Sequence, residues 1–476
     1  MKQLHLISII LLTTLLIACN KEDVDFTYSP AAPKAGDTIS FTPYGTSAEE
    51  WEWDFGDGTS ANIANYKKIY KKAGTYTVTL TADNKKSRSV AKQITVLDTI
   101  PSFTLLSDSV LHYMQSATFK ALIYNPYNTP ISYQWQIPDK AIATTNLDQN
   151  TISIYPTAHD TTFTISLTFT LGSQTNTIQK TFTVNDTPAP ALLAINNNGQ
   201  LLRQRLYNIP QLSNGNYIQE TPQDITPLNT LFTQTSAMLT QDDICYIATL
   251  NNTIYAYNIQ NNTLETIIKK SPSLNNTLPL FTDITIQNQF LYFTGPKGIH
   301  RIDKTLRSQT LDSEDQLIFA DNKSLPSLDI SQGLLGIDFC NNIFFAACQN
   351  KIIRFTPSDI NSGSTPNTTP LFQDLNQPLI TNIQIDKIQG LIYFFEKTAS
   401  QLYICQLNGS NLQKITNTSH PAFTINNQLN LLFFSSENGI LQTTLPHLLT
   451  NNLQLYTQPV NSLNNIVAIA IDQIKR

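Results

Sequence analysis

After residue 190 a strand-turn-strand unit recurs with a period of about 40 to 53 residues, and no other feature constrains the fold of this chain as tightly. Its clearest copy runs Ile385-Asp386-Lys387-Ile388-Gln389-Gly390-Leu391-Ile392-Tyr393-Phe394-Phe395. It continues through Gln401-Leu402-Tyr403-Ile404-Cys405 to Leu407-Asn408-Gly409-Ser410. The same order returns as Ile286-Gln287 to Phe293 with Gly298 to Ile302, and as Ile337-Asp338 to Phe345 with Lys351 to Phe355. It returns again as Ile425-Asn426 to Phe434 with Gly439 to Leu441, and as Asp243 to Ile247 with Thr253 to Tyr257. A sixth unit is split. Ala191 to Ile195 and Gln200 to Arg203 supply later strands with no first strand, and the missing one stands at the far end as Ile466 to Asp472. An open stack has no use for that split, whereas a ring closes on it and loses its free edge. Residues 188–476 are therefore expected to form a closed six-bladed β-propeller sealed by strand 466–472.

Residues 24–97 read as short strands between turns. In Trp51-Glu52-Trp53-Asp54-Phe55 the aromatics alternate with charges, which puts both tryptophans and Phe55 on one face. Gly56-Asp57-Gly58-Thr59 follows as a tight turn whose glycines are free to take positive φ. Ala73 to Leu80, with Gly74 and Tyr76, is a second alternating strand. These residues resemble the PKD domain, whose signature is Trp-Asp-Phe-Gly-Asp-Gly followed by an Ala-Gly-x-Tyr-x-Val strand. The resemblance implies an immunoglobulin-like β-sandwich in which Trp53, Asp54, Phe55, Gly56, Asp57, Gly58, Gly74 and Tyr76 are structural. Trp51 and Trp53 are then core residues rather than sugar platforms, and Asp54 and Asp57 bond turn amides rather than calcium.

Residues 98–187 look like a second, degenerate copy. Tyr133-Gln134-Trp135 takes the place of the Trp53 strand without the Gly-Asp-Gly turn, and Thr162 to Leu167 echoes Thr75 to Leu80. Asp186-Thr187-Pro188-Ala189-Pro190 reads as a stiff linker, since each proline fixes its φ. The fold class expected is thus all-β: two Ig-like β-sandwiches followed by a six-bladed β-propeller. The propeller pattern itself resembles the YWTD type of the LDL receptor and its TolB- and NHL-like relatives.

Leu6 to Ala18 is an almost unbroken apolar run, short for a bilayer span and suited to a signal-peptide core. It ends in Leu16-Ile17-Ala18-Cys19, which resembles the lipobox of bacterial lipoproteins. The resemblance implies a signal peptide at 1–18 and lipid attachment at Cys19, anchoring the chain to a membrane. Lys21-Glu22-Asp23 resembles the export tag of surface lipoproteins of the Bacteroidetes, so residues 19–23 read as anchor and tag, and the outward face of the outer membrane as the location. Asp37-Thr38-Ile39, Asp98-Thr99-Ile100, Asp108-Ser109-Val110 and Asp160-Thr161-Thr162 resemble the O-glycosylation tripeptide of the same bacteria.

Charged residues make up only 14% of the chain and the net charge is -5, which gives no field to gather phosphate backbones; nucleic acid is not an expected partner. Of five cysteines, Cys245, Cys340, Cys348 and Cys405 lie in apolar runs without metal spacing and read as small buried hydrophobes. None of the histidines (His5, His112, His159, His300, His420 and His447) stands near another or near a cysteine. No motif points to a metal, a cofactor or a catalytic residue. Asp338, Asp386 and Asp472 hold equivalent repeat positions, where they either cap the turn after the first strand or ring a central cation. The functional expectation is a surface binding or adhesion protein whose propeller takes a glycan or a partner envelope protein, with the long segments 208–236, 309–333 and 356–380 supplying specificity. A polysaccharide-acting surface enzyme and an architectural envelope subunit are the alternatives.

Overall fold

The structure is a computed structural model that describes residues 24–45, 48–83, 88–106, 110–207, 221–250, 253–275, 281–295, 297–326, 328, 334–363, 367–370, 379–418, 421–437, 439–445, 458–461 and 465–475. Cys19, Lys21 to Asp23, His5, His420, His447, Asp108 and Ser109 lie outside the described residues, as do parts of the three long segments. Among the described residues no helix is long and apolar enough to cross a membrane. The chain divides into two compact units, Met1–Asn185 and Asp186–Arg476.

The first sandwich of the N-terminal unit pairs a three-stranded sheet (Asp25–Ser29, Thr38–Tyr44, Tyr66–Ile69) with a four-stranded one (Ser60–Ala61, Glu50–Asp54, Gly74–Asp83, Arg88–Val96). Strict alternation along these strands sends one side chain in two inward, and the core that results is aromatic. Trp53 is fully buried. Its ring lies edge-on to Phe26 at 5.1 Å and stacks on Phe55 at 5.9 Å, and its indole N–H donates to the Ile63 carbonyl at 3.0 Å. Trp51 is half-buried at the margin of the same core.

The second sandwich is built of two four-stranded sheets. Trp135 takes the role of Trp53: it is buried edge-on to Phe103 at 5.0 Å, and its indole donates to the Gln149 carbonyl at 2.8 Å. The echo seen between 162–167 and 75–80 is real in the pairing, since Thr161–Leu171 and Gln174–Asn185 form one long hairpin.

The second unit contains six sheets arranged as blades, antiparallel throughout except that Gln309–Leu311 joins the outer edge of one of them as a parallel fifth strand. The inner strand of blade 1 is Ile466–Asp472, and those of blades 2 to 6 are Thr235–Gln241, Ile284–Gln287, Gly336–Cys340, Ile380–Asp386 and Phe423–Asn426. Each inner strand touches the next, and the sixth touches the first, so the ring is closed. Ile466–Asp472 pairs antiparallel with Ala191–Asn196, joining the two ends of the unit in one sheet. The second strand of each blade is a run of buried aliphatic and aromatic residues, as in Leu391-Ile392-Tyr393-Phe394-Phe395. Both of its faces pack on neighbouring blades, which is why these strands lose the polar-apolar alternation of the sandwiches.

The segment Asp186 to Pro190 is held by more than its prolines. Arg205 places an N–H donor 2.7 and 2.9 Å from the two carboxylate oxygens of Asp186, the Tyr207 hydroxyl donates to the Thr187 carbonyl at 3.0 Å, and Ala189 is buried. These residues are the opening of blade 1.

Cys245, Cys340, Cys348 and Cys405 are buried thiols outside any disulfide, and burial raises the thiol pKa of Cys405 to about 12. A buried neutral thiol does not react. The four are expected to resist a water-soluble thiol reagent in the native protein and to titrate together on unfolding. Stoichiometric labelling under native conditions would contradict the packing.

Candidate functional site

The inner strands enclose a cavity of about 530 Å³ lined by residues of all six blades. At one end Asn382 of blade 5 reaches across to the opposite blade, its amide donating to the Ser236 carbonyl at 3.4 Å. At the other end the lining continues into the turns that follow the inner strands, through Lys387, Asn427, Gln428 and Gln473. The cavity is therefore bridged at the end where inner strands begin and rimmed by polar side chains at the end where they stop.

Polar residues inserted among the aliphatics of these strands bind blade to blade. Asp283 accepts the Ile284 N–H on one oxygen and, on the other, the N–H of Ile337 in the next blade, each at 2.9 Å. Asp338 repeats this one blade further on, accepting from Ile385 at 2.8 Å and from the Thr285 hydroxyl of the preceding blade at 3.0 Å. Gln384 carries the series to blade 6, accepting from Ile425 at 3.1 Å and donating to the Phe423 carbonyl at 2.9 Å. The Thr240 hydroxyl donates to the Ile471 carbonyl and so joins blade 2 to the closing strand.

This corrects the equivalence of the three aspartates. Asp386 accepts from Ile388 and Gln389 in the turn after its strand, and Asp472 accepts from Ile474 likewise; both are turn caps. Asp338 caps no such turn. It pairs with Phe345 inside its sheet, and the strand-end position that Asp386 fills opposite Leu391 belongs to Cys340, opposite Ile343. A shift of two residues keeps a side chain on the same face of a strand, so alternation alone does not distinguish the two placements. The three aspartates do not converge on a cation, and among the described residues no group of three or more His, Cys, Asp or Glu is placed to hold a metal. Asp283, Asn382 and Gln384 went unread in the sequence, where their one signal was a polar side chain among isoleucines.

Burial raises the Asp283 carboxyl to about 8; the Ile337 and Ile284 N–H groups oppose the shift and the nearby Asp338 adds to it. Asp338 is raised too, by burial against the opposing pull of Lys387. The folded protein therefore keeps a proton on Asp283 between about pH 4 and 8 that the unfolded chain has lost, so the contribution of Asp283 to stability falls as pH rises through that window. Asp283→Asn keeps one acceptor oxygen and sets an N–H₂ against the other backbone N–H, at a cost of about 1–3 kcal/mol. Thermal melts should show the native protein losing stability between pH 6 and pH 9. The variant should be weaker at pH 6, with a flatter slope; an unchanged slope would remove Asp283 as the cause.

His300 is buried against Phe293, bonded through Nδ1 to the Gln316 carbonyl, with its pKa lowered by burial. His112 and His159 belong to the second sandwich, and none of the three lines the cavity.

In the first sandwich the signature residues act on the turn. Asp54 accepts the Gly56 N–H at 2.9 Å, while Asp57 accepts from the Thr59 N–H and pairs with Lys68 at 2.6 Å. Gly56 and Gly58 both have positive φ. A Cβ on Gly56 would lie 2.5 Å from the Thr77 carbonyl oxygen, so that position requires glycine for space as well as for conformation. Gly74 opens its strand opposite Val96, and Tyr76 stacks on Tyr70 with centroids 4.1 Å apart.

Residues 18–100 match the family model described as PKD domain. The match spans the whole first sandwich. Among solved structures, a chain of the nidogen/laminin complex is 12% identical with TM-score 0.40, the alignment covering 60% of this chain and 98% of that one. A quinoprotein alcohol dehydrogenase-like protein from Bacteroides thetaiotaomicron is 14% identical with TM-score 0.29, covering 73% and 82%. An auxiliary nutrient binding protein from Bacteroides ovatus is 12% identical with TM-score 0.24, covering 79% and 95%. At such scores the propeller rests on its own strand pairing, while the PKD-like sandwich has both a family match and a matching interior.

Proposed function

We propose that this protein is a lipid-anchored surface binding protein whose propeller cavity receives a polar, hydrogen-bonding ligand, either a glycan or a segment of a partner envelope protein. One observation carries the reading. The Oδ1 of Asn427 is buried at the rim of the cavity and has no hydrogen-bond partner among the described residues. A buried acceptor without a donor costs about 1–3 kcal/mol, and a ligand hydroxyl or N–H seated in the cavity repays it. Lys387, Gln428 and Gln473 offer further donors around it.

The test is a glycan array, with a parallel capture of envelope proteins, using the native protein and Asn427→Ala. Saturable binding by the native protein that weakens about tenfold in the variant supports the cavity. Binding to neither class, or binding indifferent to Asn427, overturns it.

The lipobox-like Leu16-Ile17-Ala18-Cys19 supports the anchor. Cys19→Ser removes the thiol that carries lipid, and the protein is expected to move from the membrane fraction to the soluble fraction. Lys21-Glu22-Asp23 supports outward display, which protease added to intact cells would reveal by removing the protein; full protection would place it on the inner side.

A further inference from the structure

We propose that the seam between the two sandwiches is a receptor for an anionic glycan, one bearing carboxylate or sulfate groups, with Tyr127 as its stacking platform and Lys71 and Lys72 as its charge contacts. This site is separate from the propeller and does not depend on what the cavity binds. Tyr127 is 59% exposed. The other strongly exposed aromatic among the described residues, Tyr44, already donates its hydroxyl to the Asp25 carboxylate, whereas Tyr127 has no such partner.

Two ammonium groups converge on the Tyr127 ring, Lys71 at 6.0 Å and Lys72 at 5.8 Å from its centroid. Neither forms an ion pair among the described residues, in a chain whose net charge is -5. Two like charges drawn to one ring repel each other, and an anion between them reverses the sign of that term. Asp57, whose charge reaches the neighbouring Tyr76, is itself taken up by Lys68 at 2.6 Å.

The platform is held in place. Asn125 closes the loop that displays Tyr127, its amide donating to the Thr129 carbonyl at 2.6 Å and its oxygen accepting the Thr129 N–H at 3.1 Å. Tyr124, on the same loop, packs against the core of the first sandwich over Gly36, where a Cβ would meet its ring at 2.6 Å. Lys72 is fixed from the other side, its carbonyl accepting the Tyr76 hydroxyl at 2.9 Å. Both sandwiches thus contribute to one preorganised surface. An aromatic face beside unpaired cations suits a sugar ring carrying an acid group, because the ring stacks while the acid meets the ammonium.

Affinity electrophoresis of the full-length protein through gels containing polygalacturonate, chondroitin sulfate or neutral dextran tests this. Retardation is expected in at least one acidic gel and none in dextran, and a difference between the two acids tells carboxylate from sulfate. Tyr127→Ala and the double variant Lys71→Ala/Lys72→Ala should each weaken the interaction about tenfold, and the double variant should also lower its salt dependence. Asn427→Ala should leave it unchanged, which separates failure here from failure of the cavity. No retardation of the native protein, equal retardation in dextran, or full retardation of Tyr127→Ala would each overturn the proposal; the last would reduce it to plain ion exchange.

Discussion

Ending the chain at Asn465 is expected to unfold the propeller. The strand removed, Ile466–Asp472, is the inner strand of blade 1, and Ile466, Ile469 and Ile471 are all buried there. Three isoleucines at about 1.5–3 kcal/mol each approach the ~5–15 kcal/mol that holds a whole domain. The loss goes beyond area. Ala191–Asn196 would be left as an open edge, the Thr240 hydroxyl would lose the Ile471 carbonyl, and blades 2 and 6 would lose the neighbour that closes the ring. Soluble yield, circular dichroism and hydrogen exchange of residues 186–465 report the result. A truncated chain whose propeller amides exchange as slowly as the native ones would show that closure contributes little.

Trp53→Ala is expected to cost about 3–5 kcal/mol, the largest effect of any single substitution in the first sandwich. It opens a void among Phe26, Phe41 and Phe55, and it leaves the Ile63 and Ala64 carbonyls without their indole donor. Trp51→Ala, at the half-buried margin of the same core, should cost clearly less. Denaturant midpoints of the two variants decide the matter, and equal losses would mean that Trp51 is as much a core residue as Trp53.

Much of this was legible in residue order. The alternation in 51–55 announced that both tryptophans and Phe55 share the inward face, because a strand has a period of two; that Trp53 is fully buried while Trp51 sits at the margin was decided by the fold. The six-bladed ring was readable because a split repeat has one economical use. The roles of Asp54 and Asp57 as turn acceptors followed from their spacing to the glycines. The cavity was legible only in part. Nothing local distinguishes an aspartate that caps its own turn, such as Asp386, from one that reaches into the next blade, such as Asp338, since each follows an isoleucine and lies on the same strand face.

By itself, the sequence determined the class of each element: strands, turns, an aromatic sandwich core and blades of fixed order. Those properties depend on side-chain period and on backbone freedom at glycine, both of which act over a few residues. The tertiary structure alone decided what the polar residues of the inner strands do. Asp283 finds Ile337, Asp338 finds Ile385, Gln384 finds Ile425, and Asn382 crosses to Ser236, contacts that exist only once the blades stand side by side. The same holds for the Tyr127 seam, where a loop of one sandwich meets two lysines of the other. A hydrogen bond acts over about 3 Å. No pattern along the chain specifies which distant backbone will come that close.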